Sequence, residues 1–283
     1  DNCGFTLAES CQFVVLMDDA LAVELGANIH GAVPQVFINA DGTKKSISAP
    51  GVGNYLSMMK AVSLAQQLVG SEAIKNNSFV HAHGSSTPMN RTSEADLLTA
   101  VAKHFNIKNW PLTAVKSYVG HPLAPASGDQ LMSALGTFEH QIIPGIKTID
   151  RVADDVDQSI LQIKQQDTDV SQHPMQVAFL NAKGFGGNNA SAPVLSPTAV
   201  NNMLLKRHGA KAMTDYQQKR LGVIKQAHAY NQEALKGKFE VIYRFGEALL
   251  EPRDLTLDED IRVAGFAKNI PIKINHGFAD MCE

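Results

Sequence analysis

Two short stretches of this sequence carry histidines at positions that could do chemistry. Residues 79–88 deliver His83 to a turn of small hydroxyl residues, and residues 114–123 deliver His121 to a glycine turn, five positions after Lys116. Two neutral imidazoles can donate hydrogen bonds to one developing oxyanion, and a neighbouring ammonium group adds positive charge. The three side chains therefore predict a site that stabilises negative charge on a reacting oxygen.

Other interpretations of the same histidines remain open at this point. A lone histidine at the end of a strand is more often a satisfied structural residue than a catalytic group. His81 and His83 form a His-x-His pair that could ligate zinc, but no cysteine or carboxylate lies at short, regular spacing to complete four ligands. We therefore expect no metal site and no bound cofactor.

The elements that must position these side chains alternate between strands and helices. We predict strands at 29–39, 79–83, 112–116 and 176–181, and helices at 18–27, 54–70, 93–105 and 127–141. Residues 4–17, which alternate and then run apolar, predict two adjacent strand segments or one bent strand. This order predicts an α/β fold whose mostly parallel sheet is covered by helices and meets ligands at the carboxyl ends of its strands.

Composition limits the class of protein and of partner. The 283 residues are 44% apolar and 19% charged, with a formal net charge of −3, which is typical of one large or two modest globular domains. The mild acidity does not favour a nucleic-acid partner, and no apolar run approaches the ~18 residues of a membrane span. Three widely spaced cysteines make no disulfide framework and indicate a reducing cytoplasm.

Three stretches together resemble the motifs of β-ketoacyl synthases, condensing enzymes of the thiolase-like superfamily. Residues 82–88 (Ala-His-Gly-Ser-Ser-Thr-Pro) with Glu94 resemble the first-histidine motif of that family. Residues 116–121 (Lys-Ser-Tyr-Val-Gly-His) resemble its Lys-Ser-x-x-Gly-His motif, and residues 181–190 (Asn-Ala-Lys-Gly-Phe-Gly-Gly-Asn-Asn-Ala) are similar to its glycine-rich loop. The motifs keep the family's order, and the resemblance covers residues 4–196.

The resemblance implies a domain organisation as well. Residues 1–197 would be the C-terminal half of a thiolase-like ketoacyl synthase domain, with a mixed sheet and helices on both faces. We predict a mainly helical extension over residues 198–283. Between 198 and 250, nine basic residues stand against four acidic ones and apolar residues recur with helical spacing, which predicts one long amphipathic helix. That helix either docks on the core with a solvated basic face or presents a docking surface to an acidic partner such as acyl carrier protein.

The reaction implied by the resemblance is a decarboxylative Claisen condensation, in which an acyltransferase joins an acyl thioester to malonyl-ACP in fatty-acid synthesis. In that family two histidines stabilise the enolate oxygen, a role that falls on His83 and His121. Lys116 would order the site electrostatically, and Glu94 matches a supporting carboxylate, although Asn90-Arg91 precede it where the family usually has Gly-Asp. The implied partners are acyl carrier protein, malonyl and acyl thioesters, and a second copy of the chain in a cytoplasmic homodimer.

Two loops complete the implied site. Gly184 and Gly186 flank Phe185, which would act as a gate between the acyl pocket and the second substrate. Residues 46–51 are similar to a Thr-Ala-Pro stretch near the entrance for the acyl carrier, although an ordinary turn explains them equally well.

The cysteine nucleophile of such a synthase has no counterpart in this sequence. Cys3, Cys11 and Cys282 lack the small-residue Cys-Ser turn that precedes a helix in the family. We therefore expect the chain to be the C-terminal half of a longer synthase and to be inactive alone. Two alternatives remain: a non-catalytic ketosynthase-like partner that acts by binding, and a thiolase-type enzyme that condenses without decarboxylation.

Overall fold

The computed structural model describes residues 4–44, 50–238, 243, 245–247 and 249–273. The chain divides into two compact units, residues 1–227 and residues 228–283. Most of the loop at 46–51, compared above with a carrier entrance, lies outside the described residues. In the described part of the chain, no helix has the length and apolar character needed to cross a membrane.

A mixed sheet of six strands forms the centre of the first unit. Its strands are β1 (Phe37–Ala40), β2 (Ser78–His81), β3 (Trp110–Thr113), β5 (Leu161–Ile163), β7 (Val177–Gly184) and β8 (Asn188–Leu195), with β4 (Ile142–Ile143) and β6 (Thr168–Asp169) forming a separate pair. The order in the sheet is β1-β8-β7-β2-β3-β5. β2 is parallel to β3 and β7, whereas β8 is antiparallel to β7 and β1. The predicted α/β class with a mixed sheet is confirmed.

Helices cover both faces of this sheet. They are α1 (Asp19–Leu25), α2 (Gly53–Val69), α3 (Ser71–Asn76), α4 (Pro88–His104), α5 (Lys116–Val119), α6 (Ala126–His140) and α7 (Pro197–Leu235). On one face Met58 of α2 and Leu98 of α4 share a buried cluster with Val80 of β2. On the other face Phe138 of α6 clusters with Phe79. Because side chains alternate along a strand, the neighbours Phe79 and Val80 are buried on opposite faces, and all four residues of β2 are buried.

Two strand predictions near the N-terminus are wrong in extent. Residues 4–17 contain one isolated bridge, at Leu7, and no strand. Pattern alone cannot make a strand, because a ladder also needs a neighbour with free main-chain groups. The strand predicted at 29–39 reduces to an isolated bridge at Ala32 followed by β1, because Pro34 has no N–H to donate to a ladder.

Helix ends follow signals that the sequence carries. Gly26 closes α1 with a φ of 67° and ψ of 36°, the left-handed conformation that favours glycine. The helix after the first histidine begins at Pro88, five residues before the predicted start at Ser93. Proline is well suited to the first turn, because its φ is already helical and its missing N–H has no partner there in any case.

The long helix α7 is not continuous. Gly209 has a φ of 80° and a ψ of 167°, so the long helix predicted in this region is present over Pro197–Leu235, but the prediction is wrong in its continuity. Before residue 228 the helix docks on the first unit, where Tyr216 Oη donates to Ala27 O at 2.9 Å. Arg207 Nη1 donates to the Asp19 carboxylate at 3.0 Å. A helix docked on the core is therefore the better of its two interpretations.

The second unit contains a short antiparallel sheet that the sequence did not predict. Its strands are β9 (Leu255–Leu257), β10 (Asp260–Val263) and β11 (Ile270–Pro271), in the order β11-β10-β9. The acidic residues 258–260 form the turn between β9 and β10 and the first position of β10. For the described residues beyond Leu235, the prediction of a mainly helical extension is therefore wrong, while a domain boundary after residue 197 stays a prediction.

Candidate active site

Two neighbouring parallel strands bring the histidine motifs together. β2 ends at His81, two residues before His83, and β3 ends at Thr113, three residues before Lys116. His81 pairs with Thr113 in the ladder, so both loops leave the same edge of the sheet. The ring centroids of His83 and His121 lie 5.4 Å apart, with an angle of 79° between the planes. The structure thus brings together the two imidazoles that the sequence paired.

The turn that presents His121 requires a glycine. Gly120 has a φ of 73°, and a Cβ at this position would lie 2.8 Å from the Cβ of Ala8 and 3.0 Å from Thr6 O. The His121 N–H donates to Thr6 O at 2.7 Å, and the Ala8 N–H donates to His121 O at 3.2 Å. The N-terminal segment therefore binds both main-chain polar groups of His121, its N–H and its C=O.

Both rings are held in the same tautomer by main-chain donors. Nδ1 of His83 accepts the N–H of Lys183 at 3.2 Å, and Nδ1 of His121 accepts the N–H of Leu123 at 3.1 Å. A neutral imidazole that accepts at Nδ1 carries its proton at Nε2. Each ring therefore presents an Nε2–H donor.

The surroundings keep both imidazoles uncharged. Burial, with the positive charge of Lys116 nearby, lowers the pKa of His83 to about 4 against the opposing charge of Glu94. Burial and Lys116 also hold the pKa of His121 below its ordinary value. At neutral pH both rings are therefore neutral hydrogen-bond donors and not cations.

Lys116 is buried beside the first histidine loop. Its Nζ donates to His83 O at 2.7 Å, which ties the ammonium group to the main chain that carries the ring. Burial lowers the pKa of Lys116, while Glu94 and Asp129 act in the opposite direction. The side chain thus fixes the loop and places positive charge next to both histidines.

Glu94 holds the main chain of the first histidine loop. Its buried carboxylate accepts the N–H of His83 at 2.6 Å and of Gly84 at 3.0 Å. The side-chain amides of Asn90 and Asn181 donate to it at 3.1 and 2.6 Å. Burial opposes ionisation of Glu94, but the neighbouring His83 and these hydrogen bonds lower its pKa. Asn90, which departs from the resembled motif, is thus one of four donors to a single carboxylate.

A polar network behind Glu94 was missed at the sequence level. Asn54 Nδ2 donates to Asn181 Oδ1 at 2.7 Å, Ser191 Oγ donates to the same oxygen at 3.2 Å, and the hydroxyls of Ser57 and Ser191 lie 2.9 Å apart. Asn54 and Ser57 are buried in the first turns of α2. Polar residues on the apolar face of a helix were the signal that could have identified them.

Replacing Glu94 by Gln is expected to lower the free energy of unfolding by about 2–4 kcal/mol, because a carboxamide NH2 would face donors where an oxygen now accepts. Urea unfolding of the two proteins measures the difference. Glu139→Gln is the control, since Glu139 is exposed on α6, and it should stay within about 0.5 kcal/mol of the parent. Equal stability of Glu94→Gln and the parent would contradict the role of this carboxylate.

The glycine-rich stretch is a tight hairpin and not an open loop. β7 ends at Gly184 and β8 begins at Asn188, with φ values of 83° and 87° at Gly186 and Gly187. Phe185 lies at the tip with 75% of its surface exposed, and neither cavity beside the histidines includes its side chain. A gating role for Phe185 stays a prediction.

Two cavities adjoin the histidine pair. One of about 410 Å³ is mostly apolar, with Ile149 and Ile163 among its lining residues. The other, of about 220 Å³, is lined by His83 and by residues of the glycine hairpin, including Gly184 and Asn188. Lys116 and His121 line both cavities, so the two open onto the same donors. The larger volume falls within the range of small-ligand pockets.

His81 and His83 have different surroundings, although they are two residues apart. His81 is fully buried beside the ring of Phe79, with centroids 5.5 Å apart. Neither of its ring nitrogens has a hydrogen-bond partner among the described residues. Within those residues, no group of three or more His, Cys, Asp or Glu side chains has an arrangement that could hold a metal ion.

Comparison with known proteins relates this geometry to one family. Residues 30–150 match the family model for the β-ketoacyl synthase C-terminal domain. The chain is 56% identical over 284 residues to the β-ketoacyl-[acyl-carrier-protein] synthase FabY of Pseudomonas aeruginosa, covering 100% of this chain and 45% of that protein. The crystal structure of the ketosynthase FabY from P. aeruginosa matches with a TM-score of 0.92 and covers 100% of this chain and 44% of that one.

A more distant relative also matches this chain over less than half of the relative's own length. The 3-oxoacyl-[acyl-carrier-protein] synthase 2 of Staphylococcus aureus is 30% identical over 195 residues, which are 66% of this chain and 44% of that protein. The chain thus spans somewhat less than half the length of these two curated relatives.

Proposed function

The chain belongs to the β-ketoacyl synthase family and has its thiolase-like fold, and we propose that its full-length gene product condenses malonyl-ACP with an acyl thioester in fatty-acid synthesis. The two named relatives are a β-ketoacyl-[acyl-carrier-protein] synthase and a 3-oxoacyl-[acyl-carrier-protein] synthase. The observation that supports the proposal most directly is the pair of neutral imidazoles, His83 and His121. Each accepts a main-chain N–H at Nδ1 and therefore carries its proton at Nε2.

The first proposed step uses these two donors. The bond between the carboxylate carbon and the methylene carbon of the malonyl group breaks, carbon dioxide leaves, and the electron pair forms a thioester enolate. The Nε2–H groups of His83 and His121 bind the enolate oxygen, and Lys116 adds a positive field. A protonated His83 would carry a hydrogen at Nδ1, directed at the Lys183 N–H that now donates to it. The lowered pKa of His83 prevents that conflict at neutral pH.

The second proposed step needs a nucleophile that the described residues do not offer. The enolate carbon attacks the carbonyl carbon of an acyl-cysteine, a carbon–carbon bond forms, and the cysteine thiolate leaves. Among the described residues the free cysteine is Cys11, which is exposed and lies outside any helix. Cys3 and Cys282 fall outside the described residues. We propose that the nucleophile lies elsewhere in the full-length gene product and that these 283 residues are inactive alone.

The partners follow from the same proposal. Acyl carrier protein would deliver the malonyl thioester, and the two cavities beside Lys116 would receive the reacting groups. Phe185 at the hairpin tip would gate between the acyl group and the second substrate. A homodimer in the cytoplasm is the proposed form of the full-length protein.

Intact-mass measurement of the full-length gene product tests the function. After incubation with acyl-CoA, and separately with acyl-ACP, we expect one acyl adduct on a single cysteine and its loss after pretreatment with iodoacetamide. The donor that gives the adduct identifies the carrier. A folded protein that forms no adduct with either donor would overturn the synthase proposal and favour a non-catalytic partner subunit.

A further inference from the structure

The amide group of Gln130 lies where three main-chain carbonyl groups converge. Gln130 is fully buried on α6, and its Nε2 lies 2.8 Å from Ala82 O, 3.0 Å from Asn181 O and 3.4 Å from His81 O. Carbonyl oxygens are acceptors only, so a donor is the group that fits among them. A carboxylate of the same shape would bring a negative charge against three carbonyl dipoles.

These carbonyl groups lie where two strands part. β2 and β7 pair in parallel as far as His81 and Leu180, where their ladder ends. Ala82 and Asn181 are the next residues along each strand. Beyond the ladder, the hydrogen bonds of Gln130 to Ala82 O and Asn181 O replace main-chain pairing as the link between the two segments.

The residue after β2 and the part of β7 beyond Leu180 both control the position of His83. Ala82 directly precedes it, and the Asn181 side chain donates to Glu94, which accepts the His83 N–H. Two residues beyond Asn181, the N–H of Lys183 donates to Nδ1 of His83. The separation between Ala82 and this part of β7 therefore affects the main chain, the ring orientation and the tautomer of His83.

The helix that carries Gln130 also leads back to the second histidine. α6 begins at Ala126, five residues after His121. We propose that Gln130 is a positioning residue, which joins α6 to the end of β2 and to Asn181 of β7 and thereby keeps the two imidazole rings 5.4 Å apart. Its role rests on the proposed function, because the spacing matters for catalysis when both Nε2–H groups act on one oxygen.

Gln130→Leu tests this role in the full-length gene product, because leucine removes the donors and keeps a similar volume. We expect kcat for malonyl-thioester decarboxylation to fall at least about tenfold with little change in KM, since a misplacement of about 1 Å can cost 10²-fold. Phe138→Leu is the control for lost stability, because Phe138 is buried on the same helix in an apolar cluster. That control should lower Tm and change kcat by less than about twofold.

Histidine-selective ¹⁵N NMR gives a readout that does not depend on activity. In the parent protein His83 should show an unprotonated Nδ1 and a protonated Nε2, and His83→Asn identifies its signals. In Gln130→Leu we expect these shifts to move toward the average of the two tautomers. Unchanged His83 shifts, or an unchanged kcat, would overturn the positioning role. A parent protein without decarboxylation activity would instead overturn the proposed function.

Discussion

His83→Ala and His121→Ala are each expected to slow decarboxylation of a malonyl thioester by about 10²–10³-fold, the usual effect of removing one donor to an oxyanion. Acyl transfer to the nucleophilic cysteine should stay within about tenfold of the parent rate, because its oxyanion forms on a different carbonyl group. The measurement compares release of carbon dioxide from malonyl-ACP with adduct formation from the acyl donor, in the full-length gene product.

The double variant His83→Ala/His121→Ala distinguishes two donors that act on one oxygen from two residues that act independently. Both rings act on one oxygen, so the double variant should lose less than the product of the two single effects. Since burial lowers the pKa of His83 to about 4, the rate of decarboxylation should not change with the ionisation of His83 between pH 6 and 8. His173→Ala is the control, because His173 is exposed in the first unit. Equal loss of both half-reactions in His83→Ala would contradict the assignment.

The meeting of the two histidines could be predicted from the sequence, because each follows a short apolar run and precedes a helix. Neighbouring parallel strands place such turns at one edge of a sheet, and β2 and β3 do so. The tautomers could not be predicted, because the donors to Nδ1 come from Leu123, which is local, and from Lys183, which is a hundred positions away from His83. Only the folded chain shows that both rings expose the same nitrogen.

The failures have physical causes that differ from place to place. Residues 4–17 alternate like a strand, but alternation records which side chains share a face and says nothing of a hydrogen-bonding neighbour. The strands of the second unit have two to four residues, which is too short for a period to appear. In the sequence, Gln130 cannot be distinguished from any other helix residue. Its proposed role depends on three carbonyl groups that other segments of the chain supply.

Acid is expected to destabilise the protein through His81, a buried imidazole outside the proposed chemistry. Both of its ring nitrogens lack partners among the described residues. Burial, together with the positive charge of Lys116, lowers the pKa of His81 from 6.5 to about 3. The unfolded chain therefore binds this proton near pH 6.5, whereas the folded protein resists binding it until about pH 3.

The direction of the effect follows from this difference in proton binding. Above about pH 6.5 neither the folded nor the unfolded state carries the proton, and His81 does not lower the free energy of unfolding. As the pH falls from 6.5 toward 3, the unfolded state alone gains it, so the free energy of unfolding drops by up to about 1.4 kcal/mol per pH unit. His83, whose pKa is lowered to about 4, adds a similar loss over a narrower window.

His81→Leu should remove the acid-induced loss of stability that comes from His81 and leave the one that comes from His83. Between pH 6.5 and pH 5 we expect the variant to lose about 2 kcal/mol less than the parent, as measured by urea unfolding at half-unit steps. At pH 7 it should be at least as stable, because two unpartnered buried nitrogens are replaced by an apolar group of similar size. His140→Gln, a change at an exposed histidine of α6, should keep the parent's slope. If His81→Leu also kept that slope, the folded protein would have to protonate His81 or supply it with a partner, and its isolation in the core would be wrong.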